Sequence, residues 1–313
     1  MALACHVQPD GDALGSMLGF QHLCHAHGVM SIASWGEPFV VAPHYEFLPG
    51  LDQTTKPQDF PAEPDLMVTF DCGSLERLGE LAGPAANARE LLVLDHHASN
   101  HRFGTHNVVD TTAAATAVVV RDLARELGWE LNRDAAVCLY TGLVTDTGRF
   151  QYENTTPEVF ELAAELAHFG IPTDEICRKL FEEHRFDYLR LVGAVLARAQ
   201  LDRDIGFVAT WITSFDLDGF GVTLDECEGL IDLVRRTTEA DVACVCKESH
   251  EGVRVSLRSL AGSNIDVGAI AKAFGGGGHP YAAGFTAPYP VTGVLDGIRD
   301  EIRRQREAGG GRR

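Results

Sequence analysis

The chain has 313 residues, enough for two domains that each bury a core of their own. Its composition is that of a globular protein, and the longest apolar run, Ala113 to Val120, falls well short of the roughly 20 residues that span a bilayer. A formal net charge of −19 argues against a protein that coats nucleic acid through its phosphates, although a small anionic ligand remains compatible if cations offset the field. The eight cysteines are scattered without a CxxC pair, which reads as reduced, mostly buried thiols in a cytoplasmic protein.

Ala2–Cys5 predicts a short buried strand, followed at once by His6-Val7-Gln8-Pro9-Asp10-Gly11-Asp12. Pro9 and Gly11 make this a turn in which Asp10 and Asp12 converge, with Gly11 supplying the bend. Ala13 to His27 has helical spacing at Leu14, Met17, Leu18 and Gln21, and Asp12 is placed to cap that helix. Ile32 to Val41 reads as a second strand region and Pro43 to Pro64 as irregular surface. Asp65 to Phe70 is a buried strand ending in a carboxylate, Asp71, and Leu91 to Leu94 is another, ending in Asp95-His96-His97. Ala113 to Leu127 and Arg133 to Leu143 fit helices, the second running into Thr145-Asp146-Thr147-Gly148. Short strands alternating with helices imply a doubly wound parallel sheet, whose ligands gather at the carboxyl ends of the strands.

Pro157 to Phe169 and Asp174 to Gln200 fit helices. The second, with Leu180, Leu189, Val192 and Leu196 on its apolar side, reads as a connector. Strands at Phe207 to Ile212, Val242 to Cys246 and Val253 to Leu257, with helices at Leu224 to Arg235 and Asp266 to Phe274, make a second, smaller α/β domain. The expected division is residues 1–173, a helical connector at 174–200, residues 201–308, and a disordered tail at 309–313. Alternation places Arg254, Ser256 and Arg258 on a polar strand face, and Gly275 to Gly278 with His279 reads as a loop.

His6, Asp10, Asp12, Asp71, Asp95, His96, His97 and Asp146 are the polar residues that close the apolar segments of the first half. So many carboxylates cannot all be ionised in one cleft unless cations offset their repulsion. Aspartates with histidines and no thiolate suit a first-row divalent ion of oxygen preference, manganese before zinc. The set exceeds what one ion needs, and two ions about 3.5–4 Å apart would use it, clamping a phosphoryl group.

His6 to Ala13, Asp71, Asp95-His96-His97 with Asn100, and Thr145 to Gly148 resemble, in order, the four motifs of the DHH phosphoesterase superfamily. Ser256-Leu257-Arg258-Ser259 and the glycine run ending in His279 resemble the DHH-associated domain of RecJ-like nucleases and nanoRNase/pAp phosphatases. Members usually carry a helix or two ahead of the first strand, whereas the first motif here starts at His6. The resemblance implies one metal on His6, Asp10 and Asp71 and a second on Asp12, Asp71, His96 and Asp146, with Asp71 bridging. It implies Asp95 as a carboxylate that orients a histidine and His97 as a hydrogen-bond donor or general acid at the scissile phosphate. It also implies a substrate-binding set of Arg258, Asn264, Gly276, Gly277, Gly278 and His279. The expected activity is manganese-dependent hydrolysis of short oligoribonucleotides such as nanoRNA and pApA, extending to pAp, with cyclic di-AMP as the alternative substrate. Neither a long nucleic acid nor a membrane is expected as partner, and a homodimer is compatible. A pyrophosphatase shares the metal motifs but not the glycine–histidine domain, and a nucleotide-binding regulator is the non-enzyme alternative.

Overall fold

A computed structural model of the protein describes residues 1–260, 262–288 and 290–310. The chain divides into two units, Met1–Glu183 and His184–Arg313.

The first unit runs β1 (Ala2–Cys5), α1 (Gly11–Ala26), β2 (Ile32–Ser34), β3 (Leu66–Phe70), α2 (Ala82–Asn87), β4 (Glu90–Asp95), β5 (His106–Val109), α3 (Thr116–Glu126), α4 (Arg133–Asp146), α5 (Pro157–Ala167) and α6 (Thr173–Phe181). Its five strands are all parallel, in the order β2-β1-β3-β4-β5. The chain leaves β1 for one edge and returns to β3 on the other side, so the order reverses between β1 and β3 and opens a crevice at their carboxyl ends. Leu3, Cys5, Val68, Phe70 and Leu94 pack on the face covered by α1, α3 and α4. Ala2, Ala4, Met67 and Leu91 face the other way, onto Leu78, Leu81 and Ala85. With both faces buried, the strands read as apolar runs, as the sequence shows.

Three details differ from the sequence reading. The strand expected over 32–41 is three residues long, and β5 was not foreseen, because His106 to Val109 is short and half-exposed and carries little apolar signal. Gly11 is not the bend. It is the first residue of α1, while the left-handed turn falls on Gln8 (φ 53°).

Glycine spaced by four along α1 sets how closely the helices approach. A Cβ on Gly15 would lie 2.4 Å from the Cys138 carbonyl oxygen and 2.9 Å from the Gly142 nitrogen, both backbone of α4. One on Gly11 would meet the Thr145 side chain at 2.6 Å, and one on Gly19 would meet Leu139 at 2.9 Å. The first turn of α1 and the last turn of α4 are therefore held in backbone contact, which draws Asp12 and Asp146 together.

The expected connector is two helices. The first, α6, ends at Phe181 with Ile176 and Leu180 in the core of the first unit. The next, α7 (Phe186–Ala197), buries Tyr188, Leu191 and Val195 in the second. Leu189 and Leu196, expected on the buried side of a single helix, are exposed.

The second unit continues with β6 (Gln200–Asp202), β7 (Phe207–Ile212), α8 (Ser214–Phe220), α9 (Leu230–Val234), β8 (Val242–Ser249), β9 (Gly252–Ser259), α10 (Val267–Ala273), β10 (Gly277–His279), β11 (Ala282–Ala287) and α11 (Val291–Gly310). Its sheet has the order β10-β11-β9-β8-β7-β6, antiparallel except between β7 and β8. One face packs on α10 and α11, and part of the other packs on α7 and α9. The helix expected from 224 is only α9 after one 3-10 turn, with Gly229 between them. Residues 309 and 310, expected in a tail, belong to α11, and 311–313 lie outside the described residues.

Asp216 fastens α8. It completes a capping box with Thr213, and Arg198 grips both its oxygens at 2.7 Å. That guanidinium holds the carboxyl, against the cost of burial, at about 2, below its usual range. A carboxylate depressed on folding stabilises fully above its ordinary value near 3.9 and loses that contribution as pH falls through the folded value. Asp216→Asn should cost about 2 kcal/mol at pH 7 in urea melts, and the gap to wild type should close between about pH 4 and 2. A gap that stays constant with pH would mean the ion pair contributes nothing.

Candidate active site

Each ligand-type residue of the first unit leaves the fold at the crevice for a local reason. His6 follows β1 directly, and its Nδ1–H donates to the Val7 carbonyl at 2.9 Å, which turns Nε2 toward the crevice. Asp10, not Asp12, is the N-cap of α1, accepting from the Ala13 N–H at 3.0 Å. Asp12 lies fully buried in the first turn and caps a different helix. Its oxygens accept from the Thr116 and Ala117 N–H groups (2.5 and 3.0 Å) at the start of α3, and from the Ser16 hydroxyl (3.0 Å). Gly142 leaves room for it, since a Cβ there would sit 2.6 Å from Asp12 Oδ1.

Asp71 follows β3 with φ 54°, a left-handed conformation that costs a non-glycine residue about 1–2 kcal/mol. It is buried, its N–H donates to the Leu94 carbonyl at 3.0 Å, and Thr116 Oγ donates to its Oδ1 at 2.9 Å. Asp95 ends β4 fully buried. It accepts from the His96 and His97 N–H groups, from Asn100 Nδ2, and from His97 Nδ1–H at 2.8 Å, leaving His97 Nε2 unanchored by that carboxylate. Asp146 closes α4, so this ligand comes from the end of a helix and not of a strand.

These side chains converge. His6 Nε2 lies 3.9 Å from Asp10 and 3.7 Å from Asp71 Oδ2. His96 Nε2 lies 3.6 Å from Asp71 Oδ1, 4.0 Å from Asp12 and 3.2 Å from Asp146. Three groups have ligand atoms mutually within 4.8 Å: His6 with Asp10 and Asp71, Asp12 with His96 and Asp146, and Asp71 with His96 and His97.

The electrostatics are those of a site short of positive charge. Burial opposes a charge on the imidazoles, yet the surrounding carboxylates raise His6, bring His96 to about 10 and bring His97 to about 9. Burial and neighbouring aspartates push Asp12 and Asp146 up. Asp71 is held below the usual range, against burial, by the positive charge of the three imidazole rings around it, His6 foremost. Protons here do what cations would do better. One further observation fits the residues to a metal. His96 Nδ1–H donates to the Ala113 carbonyl at 3.2 Å, while Nε2 is buried amid carboxylates with no hydrogen-bond partner. A donor nitrogen left this way suits coordination.

Thr116, which touches both Asp12 and Asp71, escaped the sequence reading. It follows three alanines with no local signal, and its partners lie 104 and 45 residues away.

In the second unit, cross-strand partners share a face. His279, Ala282 and Arg258 form one row across β10, β11 and β9, and Gly277, Gly284 and Ser256 form the next. The glycine run is not a plain loop, since Gly277–His279 is the edge strand β10. Gly275 (φ 82°) ends α10, and a Cβ on Gly276 or Gly278 would come within 2.3–2.5 Å of β11 backbone oxygens. Only above Gly277 is there open space on β10, while Asn264 is exposed between β9 and α10.

Carboxylates and imidazoles at the reversal point of a parallel sheet, followed along the chain by a second α/β unit, define a metal-dependent phosphoesterase class, and the chain belongs to the DHH family. The "DHH family, N-terminal domain" profile matches residues 1–143 and the "DHHA1 domain" profile matches 204–307. The chain is 34% identical over 309 residues to the bifunctional oligoribonuclease and PAP phosphatase NrnA of Thermus thermophilus, covering 96% of this chain and 90% of that protein. Identity to the Bacillus subtilis protein of the same name is 29% over 283 residues, covering 89% and 86%. The fold superposes on an exopolyphosphatase-related protein from Bacteroides fragilis with a TM-score of 0.90, over 97% of this chain and 91% of that one, at 24% identity. The protein is a hydrolase of phosphoesters. No helix among the described residues is long and apolar enough to cross a membrane.

Proposed function

We propose that the protein is a manganese-dependent phosphoesterase that hydrolyses short oligoribonucleotides to mononucleotides and pAp to AMP in the cytoplasm. The observation that carries this reading is the closeness of the His6–Asp10–Asp71 and Asp12–His96–Asp146 groups, with Asp71 Oδ1 3.6 Å from His96 Nε2. His6, Asp10 and Asp71 would hold one ion, and Asp12, Asp71, His96 and Asp146 would hold the other. Oxygen and imidazole donors without a thiolate favour manganese. Two such ions, when bound, would supply Lewis acidity toward water and offset charge on the phosphoryl group. The protein's part is orientation: Val7 and Ala113 fix the tautomers of His6 and His96, and Asp95 fixes that of His97. His97, half-exposed, directs Nε2 as hydrogen-bond donor or general acid to the phosphate. The names borne by the Thermus and Bacillus relatives support the substrate class, and the free thiols suit a reducing compartment.

Protein stripped by chelator and reloaded with manganese, magnesium or zinc tests this on pAp, linear pApA, a short RNA, a long RNA and cyclic di-AMP, read by product chromatography. Manganese should restore the most activity, with mononucleotides accumulating from the short substrates. Full activity in excess chelator, or cyclic di-AMP outrunning every linear substrate, would overturn the reading.

The strand face bearing Arg258 and His279 is the proposed substrate-binding surface of the second unit. Arg258→Ala and His279→Ala should each raise KM for a dinucleotide about tenfold or more, and barely alter hydrolysis of a small chromogenic phosphodiester. Equal losses on both substrates would assign these residues to folding.

A further inference from the structure

Residues 113–117, ahead of and within the first turn of α3, supply no ligand, yet they touch the Asp12–His96–Asp146 group repeatedly. The Ala113 carbonyl sets His96, the Thr116 and Ala117 N–H groups hold Asp12, and the Thr116 hydroxyl holds Asp71. Asp146 is reached through one more side chain, Asn154. Its Nδ2 donates to the Ala114 carbonyl at 3.0 Å and to the Asp146 carbonyl at 3.1 Å. The same amide leaves its Oδ1 buried with no hydrogen-bond partner, an unfavourable arrangement. Between Asp146 and Asn154 the backbone passes through three consecutive left-handed residues, Gly148 (φ 55°), Arg149 (φ 62°) and Phe150 (φ 60°), of which two carry side chains. Such a turn is strained at each non-glycine position and persists only if its ends are fixed.

We propose that Asn154 is a positioning residue for the second metal position. It is a clasp that ties the end of α4 to the segment orienting His96, so that Asp146 and His96 meet at one ion. The inference rests on the two-ion reading above and adds a residue that no motif contains. A side chain that served the loop alone would have no reason to bridge these two carbonyls at the expense of its own oxygen.

The test compares manganese binding, by electron paramagnetic resonance of the free ion, in two backgrounds. His6→Ala leaves only the second position, and Asp146→Ala leaves only the first. Adding Asn154→Leu should weaken binding 10–100-fold in the His6→Ala protein and less than about twofold in the Asp146→Ala protein. If the leucine variant does not fold, Asn154→Asp keeps the size, turns an acceptor onto the two carbonyls, and should give the same pattern. Equal weakening in both backgrounds, or no weakening in His6→Ala, would overturn the assignment in favour of a purely structural Asn154. Wild-type protein that binds fewer than two ions would instead overturn the two-ion reading itself, and that is seen before any variant is made.

Discussion

Asp71→Ala should lose both metal ions, taking metal content by mass spectrometry from about two per chain toward zero. Turnover should fall on the order of 10³-fold or more, since cation stabilisation contributes several kcal/mol and each 1.36 kcal/mol is tenfold in rate. The geometry makes this residue unlike its neighbours. Its Oδ2 lies 3.7 Å from His6 Nε2 and its Oδ1 lies 3.6 Å from His96 Nε2, one oxygen toward each group. Asp10 and Asp146 each belong to one group only. Alanine also sits poorly at φ 54°, so Asp71→Asn, which tolerates that conformation and keeps the shape, is the cleaner variant and should lose the ions as well. If either variant retains two ions while Asp146→Ala retains none, Asp71 is not the bridge.

Gly15→Ala should destabilise the protein by about 1–3 kcal/mol, although glycine to alanine inside a helix ordinarily gains about 0.5–1 kcal/mol. The new methyl would meet the Cys138 carbonyl oxygen at 2.4 Å, and backbone cannot rotate aside as a side chain does. The two helices must part, and Asp12 and Asp146 part with them, so manganese affinity should fall alongside stability. Gly193→Ala supplies the contrast. It lies inside α7 with nothing within 4 Å of its Cβ position, and should gain the ordinary increment in a urea melt. Similar gains at both positions would mean that α1 and α4 do not touch through their backbones.

The residues that converge in the crevice were legible as a group because chemistry restricts them: few contexts place Asp and His directly behind apolar segments in this order. What each carboxylate does besides was not legible. Asp12 looked like the cap of its own helix because capping is usually local, but its acceptor oxygens serve Thr116 and Ala117, which pair with it only once the chain has folded. The connector failed for a related reason. The stripe was read on Leu180, Leu189, Val192 and Leu196, whereas Ile176 and Leu180 bury in one core, Tyr188, Leu191 and Val195 in another, and Leu189 and Leu196 are exposed; apolar residues at helical spacing do not say which core each will enter. Glycine was the least readable. Gly276 and Gly278 are demanded by the close approach of β11, which no local pattern announces, whereas a Cβ on the neighbouring Gly277 would meet nothing within 4 Å.

The scattering of the site along the chain has a consequence for how the protein is made. His6 is translated about 140 residues ahead of Asp146 and the Asn154 amide beside it. Strand β1 is likewise made before both of its neighbours, and one of them, β3, comes more than sixty residues later. The nascent chain therefore carries an incomplete set of carboxylates and imidazoles while those intervening residues are added, and an ion bound in that interval would be held by fewer groups than the finished site provides. The centre is completed only when a helix end far along the chain reaches the residues made before it.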